Sequence, residues 1–199
     1  MYNDVINNKL LVFIMKLYGS YTSPFVRHCR IVMEQLNLEC DFIEIDNAIS
    51  AEKSPNKKVP FLHDGEVMLT DSTSILLHFY NKANKSFITS SEDMDIYNMS
   101  NTLLDASINL FLLGMDGVTP ETSQYLVRQA SRIETGLEAL ENSNRLISDE
   151  NNIASIRLFC FLDWGLFRKR INIENRPNLL AFMEKMNTYS VIQSTTPPA

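Results

Sequence analysis

An α/β half followed by an all-helical half is the fold class this sequence predicts, and three observations carry the prediction. Residues 14–69 hold short apolar runs of strand length, interrupted by one stretch with helical spacing and one hairpin signal. Clustered cap residues then open a helix from residue 70. Beyond about residue 92 the apolar positions recur at helical spacing only. Residues 1–13 read as a polar extension, 14–83 as the α/β domain, Asn81–Ser86 as the linker region, and 92–199 as the helical domain.

The elements of the first half follow in order. Residues 14–19 read as a buried strand ending at Gly19. From Pro24, the residues Phe25, Cys29, Val32, Met33 and Leu36 fall on one face of a helix. Pro24 suits its first position, Ser23 suits the cap and Asn37 marks the stop. Residues 41–46 alternate as a second strand, so strand, helix and strand form a parallel, right-handed βαβ unit. Residues 47–58 read as irregular. Two apolar runs then flank His63-Asp64-Gly65-Glu66, where Asp-Gly signals a hairpin. Pro60 stands at a strand start, where a missing N–H is tolerated. The helix from Thr70 completes the order β-α-β, link, β-hairpin, α, which is thioredoxin-like.

In the second half, Ile96, Met99, Leu103, Leu104, Ile108, Phe111 and Leu112 place a helix over residues 93–113. Gly114-Met115-Asp116-Gly117 ends it. Thr119-Pro120-Glu121 reads as the start of a second long helix, which runs to about residue 142. The run from Asn152 to Gly165 is apolar nearly all round, which places it at the centre of the helical domain. Arg176-Pro177 opens a last helix, and the chain ends in Thr-Thr-Pro-Pro-Ala.

Composition excludes several classes of function. A net charge of −6 argues against a general nucleic-acid or anionic-membrane binder. The apolar run at residues 10–15 is too short to cross a bilayer and leads into Lys16-Leu17-Tyr18-Gly19 without a cleavage site, so Met15 is a candidate start. Cys29, Cys40 and Cys160 are odd in number and widely spaced, which argues for free thiols in a reducing, cytoplasmic setting. His28, His63 and His78 share no metal-ligand spacing and read as structural.

Four short motifs in order narrow the family. They are Ser23-Pro24-Phe25, Ser54-Pro55-Asn56-Lys57-Lys58-Val59-Pro60, Asp71-Ser72 and Arg176-Pro177-Asn178-Leu179. With these, residues 15–195 resemble the soluble glutathione transferase family, in particular its Ser-type Tau and related bacterial members. Two positions depart from the family pattern. Lys57 stands where a glycine is usual, so a different loop backbone is expected there. Asn152-Ile153-Ala154-Ser155 replaces Ser/Thr-x-x-Asp, with Asn152 able to cap and Ser155 able to return a bond to the cap N–H.

The resemblance implies glutathione as co-substrate, no metal, and a small hydrophobic electrophile as second substrate. Transfer needs the thiolate. Lowering a thiol pKa of about 8.5 by two units takes ~2.7 kcal/mol of selective stabilisation. A hydroxyl donor at a helix N-terminus supplies energy of that order. Ser23 is the candidate donor, with Ser20, Tyr21 and Thr22 as neighbouring hydroxyls. The resemblance further implies a cis Val59–Pro60 bond, with Val59 pairing with the cysteinyl backbone. Ser72 and adjacent N–H groups suit the γ-glutamyl carboxylate, Asp71 the ammonium, and Lys58, less directly Lys57, the glycine carboxylate. The electrophile is expected between Tyr21 and the first helix of the helical domain, near Tyr97 or Asn101. The implied protein is a cytoplasmic homodimer that conjugates glutathione or reduces an organic hydroperoxide. The rival is a non-catalytic binding or regulatory protein similar to the stringent starvation protein.

Overall fold

The structure, a computed structural model, describes residues 14–198. The reading of residues 1–13 as an extension lies outside them. A four-stranded sheet is built from β1 (Met15–Gly19), β2 (Cys40–Glu44), β3 (Phe61–Asp64) and β4 (Val67–Leu69), in the spatial order β2-β1-β3-β4. β1 and β2 run parallel across α1 (Pro24–Gln35), while β3 and β4 are antiparallel to their neighbours. Leu17 at the sheet centre faces Phe42 on one side and Leu62 on the other. α3 (Ser72–Lys82) follows the hairpin. This is the thioredoxin-like arrangement.

Two glycines shape the turns. Gly19 ends β1 beneath α1, where a Cβ would stand 2.5 Å from the Val26 side chain. That close approach sets where the β1–α1 turn, and hence Ser23, emerges. Gly65 takes φ 58° at the first of two loop positions in the β3–β4 hairpin, a conformation glycine adopts without steric cost.

The rest of the described chain is helical: α4 (Ser91–Met115), α5 (Gln124–Glu141), α6 (Ile153–Phe167), α7 (Pro177–Met186) and α8 (Ser190–Ser194). α6 lies at the centre, with every residue from Ile153 to Leu162 buried. It packs on α4 and on α1, so one continuous core joins the two halves. The buried Arg27 of α1 pairs with Asp163 of α6 at 2.5 Å and donates to the Ile192 carbonyl at 3.1 Å. Arg30 donates to the Thr195 carbonyl at 3.1 Å, so α8 and the tail dock onto α1.

Three local expectations are corrected. Residues 47–58 are not wholly irregular, because α2 (Asn47–Lys53) forms there, capped by Asp46 accepting from Ile49 N–H at 2.8 Å. Only Ser50 of that helix is buried, so it carries no apolar period to read. α5 starts at Gln124 rather than at Thr119. Thr122 N–H donates to the Thr119 carbonyl at 3.0 Å and Thr119 N–H to the Thr122 hydroxyl at 3.1 Å, a local turn that competes with helix. At α6, Asn152 caps as expected, accepting from Ser155 N–H at 2.9 Å. The Ser155 hydroxyl, however, donates to the Ile147 carbonyl and not back to the cap.

Candidate functional site

A cleft of about 520 Å³ runs between the two halves. Its floor combines the β1–α1 turn, the loop before β3 and the N-terminus of α3, and its far wall is α4 with the end of α6. Ser23, Lys57, Lys58, Val59, Pro60, Asp71 and Ser72 all line it, although they are spread over 50 positions of the sequence.

Ser23 caps α1. Its backbone is extended, with φ −81° and ψ 124°, and its hydroxyl oxygen accepts from Val26 N–H at 3.4 Å. Capping uses an acceptor lone pair and leaves the O–H donor free. Among the described residues that donor has no protein acceptor. Its neighbours differ. Ser20 and Thr22 hydroxyls bond each other at 3.0 Å. The Tyr21 ring packs edge-on against Phe42 with the Arg30 guanidinium 4.5 Å from its centroid, and Tyr21 does not line the cleft. The expected electrophile boundary at Tyr21 is therefore corrected: Thr22 and Ser23 form that edge.

The Val59–Pro60 peptide is cis. Among the described residues neither the N–H nor the C=O of Val59 bonds to another protein group. The pair is available to a ligand backbone, in the manner of a strand added to an edge. Lys57 takes φ 51°, in the left-handed region that glycine favours. The substitution thus keeps a glycine-like backbone, contrary to the expectation of a different loop. Asn56 ties this loop to the end of β4 by donating to the Thr70 hydroxyl at 2.9 Å. Lys57 and Lys58 are exposed on the cleft.

Asp71 caps α3, with one carboxylate oxygen accepting from Thr73 N–H at 2.8 Å and Ser74 N–H at 3.4 Å. Its other oxygen has no protein donor among the described residues. Ser72 is buried, and its backbone N–H has no partner among the described residues. Beyond the hairpin turn, Asp64 holds α3 against β3 through His78 at 2.9 Å and Lys82 at 2.7 Å. The Lys82 and His78 bonds keep the Asp64 carboxyl below the usual range, against an opposing effect of burial.

Beneath Ser72 lies a residue that the sequence reading missed. Arg157 of α6 is fully buried. Its guanidinium donates to the Ser72 hydroxyl and to the Tyr97 hydroxyl, each at 3.0 Å. Tyr97 in turn donates to the Thr73 hydroxyl at 2.9 Å. The rings of Phe25 and Tyr97 lie 4.9 and 5.1 Å from the guanidinium carbon. Among the described residues, no carboxylate pairs with Arg157, and its Nε and one terminal nitrogen lack acceptors. A positive charge therefore sits under the first turn of α3, adding to the field of the helix N-terminus. The neighbouring His28 is fully buried with both ring nitrogens unpartnered, and burial, then Arg157, drive its pKa well below the usual value. Tyr97 is committed to this network and does not line the cleft, which corrects its candidacy for the electrophile wall.

The electrophile half of the cleft is lined by Ile108, Phe111, Leu112, Trp164 and Arg168, with Asn101 and Asp105 nearer the Ser72 end. Burial raises the Asp105 pKa, with Lys58 and Arg157 opposing. Cys29 and Cys160 are buried and Cys40 is partly buried; burial pushes Cys40 and Cys160 up to about 12 and Cys29 higher still. Neither His63, beside Tyr18 and Phe61, nor the other histidines lie in the cleft. Among the described residues no group of three His, Cys, Asp or Glu is placed to hold a metal, and no helix is long and apolar enough to cross a membrane.

Comparisons with known proteins agree with this geometry. Residues 17–87 match the family described as glutathione S-transferase, N-terminal domain. The chain is 26% identical over 201 residues to an uncharacterized GST-like protein, YibF, of Escherichia coli strain K12, with 92% of this chain and 99% of that protein covered. A glutathione S-transferase from Methylobacillus flagellatus KT with bound glutathione superposes with a TM-score of 0.80 at 21% identity, covering 92% of this chain and 100% of that one. A glutathione transferase family member from Pseudomonas fluorescens Pf-5, also with bound glutathione, gives 0.79 at 20% identity over 93% of this chain and 100% of that one. Residues 17–87 thus match the glutathione S-transferase N-terminal domain, and the chain as a whole has the glutathione transferase fold.

Proposed function

We propose that this protein is a glutathione transferase that binds glutathione along the floor of the cleft and stabilises its thiolate through Ser23. The observation that carries the reading is the set of unused groups converging there. They are the Ser23 O–H, the Val59 N–H and C=O, the Ser72 N–H, one Asp71 oxygen and the Lys57 and Lys58 ammoniums. These complement a thiol, a peptide backbone, a carboxylate, an ammonium and a second carboxylate. The bound glutathione in the two structural relatives supports the same assignment.

In this reading Ser23 donates to the sulfur, the anion gains from the N-terminus of α1, and the thiol proton leaves to solvent. Ser23 is a hydrogen-bond donor and not a nucleophile. The thiolate then attacks a small apolar electrophile against Ile108, Phe111 and Trp164, or the O–O bond of an organic hydroperoxide. The protein acts in the cytoplasm as a homodimer. The non-catalytic alternative rested on the missing loop glycine, and the glycine-like φ of Lys57 weakens it.

Isothermal titration with glutathione tests binding, and absorbance of the bound thiolate against pH tests activation. Millimolar or tighter binding is expected, with the bound thiol titrating below its free value. In Ser23→Ala that pKa rises by one to two units, equivalent to roughly 1.4–2.7 kcal/mol, while affinity changes less than rate. No binding at millimolar glutathione refutes the transferase reading. An unchanged thiol pKa in the variant moves the donor role to Thr22.

A further inference from the structure

The cleft has a cation, Arg168, outside the groups assigned above to glutathione. Arg168 ends α6, and its guanidinium carbon lies 5.1 Å from the Phe111 ring centroid and 5.2 Å from that of Phe167. Among the described residues, no carboxylate stands within ion-pair distance of it and its side chain donates no hydrogen bond to protein. Its Nε is buried and unpartnered, which fixes the group against the wall and not in bulk solvent. Arg145 and Arg176 of the helical half have carboxylate partners at 3.2 and 2.7 Å, whereas Arg170, 5.5 Å from the same Phe111 ring, has none among the described residues but does not line the cleft. Arg168 lines the cleft instead, beside an apolar surface formed by Ile108, Phe111, Leu112 and Trp164.

Position separates this cation from the glutathione end. Asp105 of α4 lies toward the tripeptide end, where it feels Lys58, Arg157 and Asp71. Phe111, on which Arg168 stacks, is six residues further along α4, about 9 Å at 1.5 Å per residue. The charges lining the cleft are Lys57, Lys58 and Arg168 against Asp71 and Asp105, a cationic excess in a chain of net charge −6. An arginine held on aromatic faces with its fork unpaired is arranged for planar, two-point recognition of a carboxylate.

We infer that the second substrate is an electrophile with an aromatic or otherwise apolar body and a carboxylate on the side away from its reacting carbon, and that Arg168 selects it. The inference rests on the glutathione transferase reading above. The apolar body lies on Phe111 and Trp164, the carboxylate meets Arg168, and the reacting carbon is left facing Ser23. For a benzylic halide the sulfur–carbon bond forms as the carbon–halogen bond breaks. Halide leaves with the bonding pair, and the thiol proton has gone to solvent.

The test uses 4-(bromomethyl)benzoate and its methyl ester, which share the reacting carbon and differ in charge. With the spontaneous reaction subtracted, the intact protein should prefer the carboxylate in kcat/KM. In Arg168→Met the carboxylate-to-ester ratio should fall at least tenfold, mainly through KM, and Arg168→Lys should recover part of it. Calorimetry with the two finished conjugates, S-(4-carboxybenzyl)glutathione and its methyl ester, reads the same contact without turnover. The free acid should bind the unaltered protein at least tenfold more tightly, and the two should bind Arg168→Met alike. If glutathione binds but the two conjugates do so equally, or if Arg168→Met leaves both ratios unchanged, the selectivity inference is wrong and the transferase reading stands. If glutathione itself does not bind, both are wrong.

Discussion

Lys57 is the residue at which chemistry and backbone pull apart. An L-residue in the left-handed region costs about 1–2 kcal/mol, and glycine removes that cost but gains chain entropy when unfolded. Lys57→Gly should therefore stabilise the fold by about 0.5–1 kcal/mol, read as a small rise in Tm by scanning calorimetry. A fall in Tm means that the lysine side chain contributes more than its backbone costs. His28 makes the opposite kind of statement, about pH. Its folded pKa is depressed by burial, so below its unfolded value of about 6.5 the unfolded chain takes up a proton that the folded chain refuses. Stability from this residue is present above that pH and is lost as pH falls. Between pH 7 and pH 5.5 the protein should lose about 1 kcal/mol more than His28→Leu does, by urea denaturation at each pH. Equal losses in the two proteins would show that the pH dependence does not come from His28. Ser23 was legible as a cap, because cap positions announce themselves in short local patterns, whereas the glycine-like backbone of Lys57 was not, because its residue type argued against it. Nor was the role of His28, since nothing within its own helix says that an arginine 129 positions away lies against it.

At the scale of elements, α6 does more than fill the centre. Through Arg157 it grips the first turn of α3 at Ser72 and, by way of Tyr97, at Thr73. A helix of the second half thereby sets the pose of a ligand-binding helix in the first. A buried arginine without a carboxylate and with two unsatisfied nitrogens is a weak contributor to stability. Arg157→Met should leave Tm unchanged or raise it, and should weaken glutathione binding roughly tenfold, ~1.4 kcal/mol. Loss of both Tm and affinity would make Arg157 a structural strut only. Calorimetry and thermal melts on one preparation separate the two. The apolar run of α6 was legible as a central helix, but that same reading hid Arg157 as one polar residue in a buried stretch. The hairpin at Asp64-Gly65 was legible because its turn chemistry is local. α2 was not, because seven residues with one buried side chain present no period. The false start of α5 at Thr119 shows that a proline after a threonine suits a closed turn as well as a helix cap.

At the scale of the molecule, β4 is one of the two edge strands of the sheet, and Val67 and Met68 on it are 42% and 36% exposed. An unprotected apolar edge strand is a ready pairing surface. The proposed homodimer would cover it. Sedimentation at micromolar concentration should report a species of twice 22.8 kDa, and Met68→Asp should shift it toward the monomer. A monomer in the unaltered protein rules out that assembly. The division into an α/β half and a helical half was legible from periodicity alone, whereas the cleft between them was legible only through family resemblance. Contacts that span the chain leave no mark on the pattern of residues near them.

The docking of the tail onto α1 has a consequence for how the protein is made. α1 leaves the ribosome long before α8, yet acceptors for Arg27 and Arg30 are supplied by Ile192 and Thr195, 165 residues later. Until those carbonyls arrive, two guanidinium groups of α1 must stay hydrated, which keeps that flank of the helix open to water. Long-range closure of this kind comes late in folding. The helix that presents Ser23 is thus completed only once a segment 165 residues further along the chain has been made and docked.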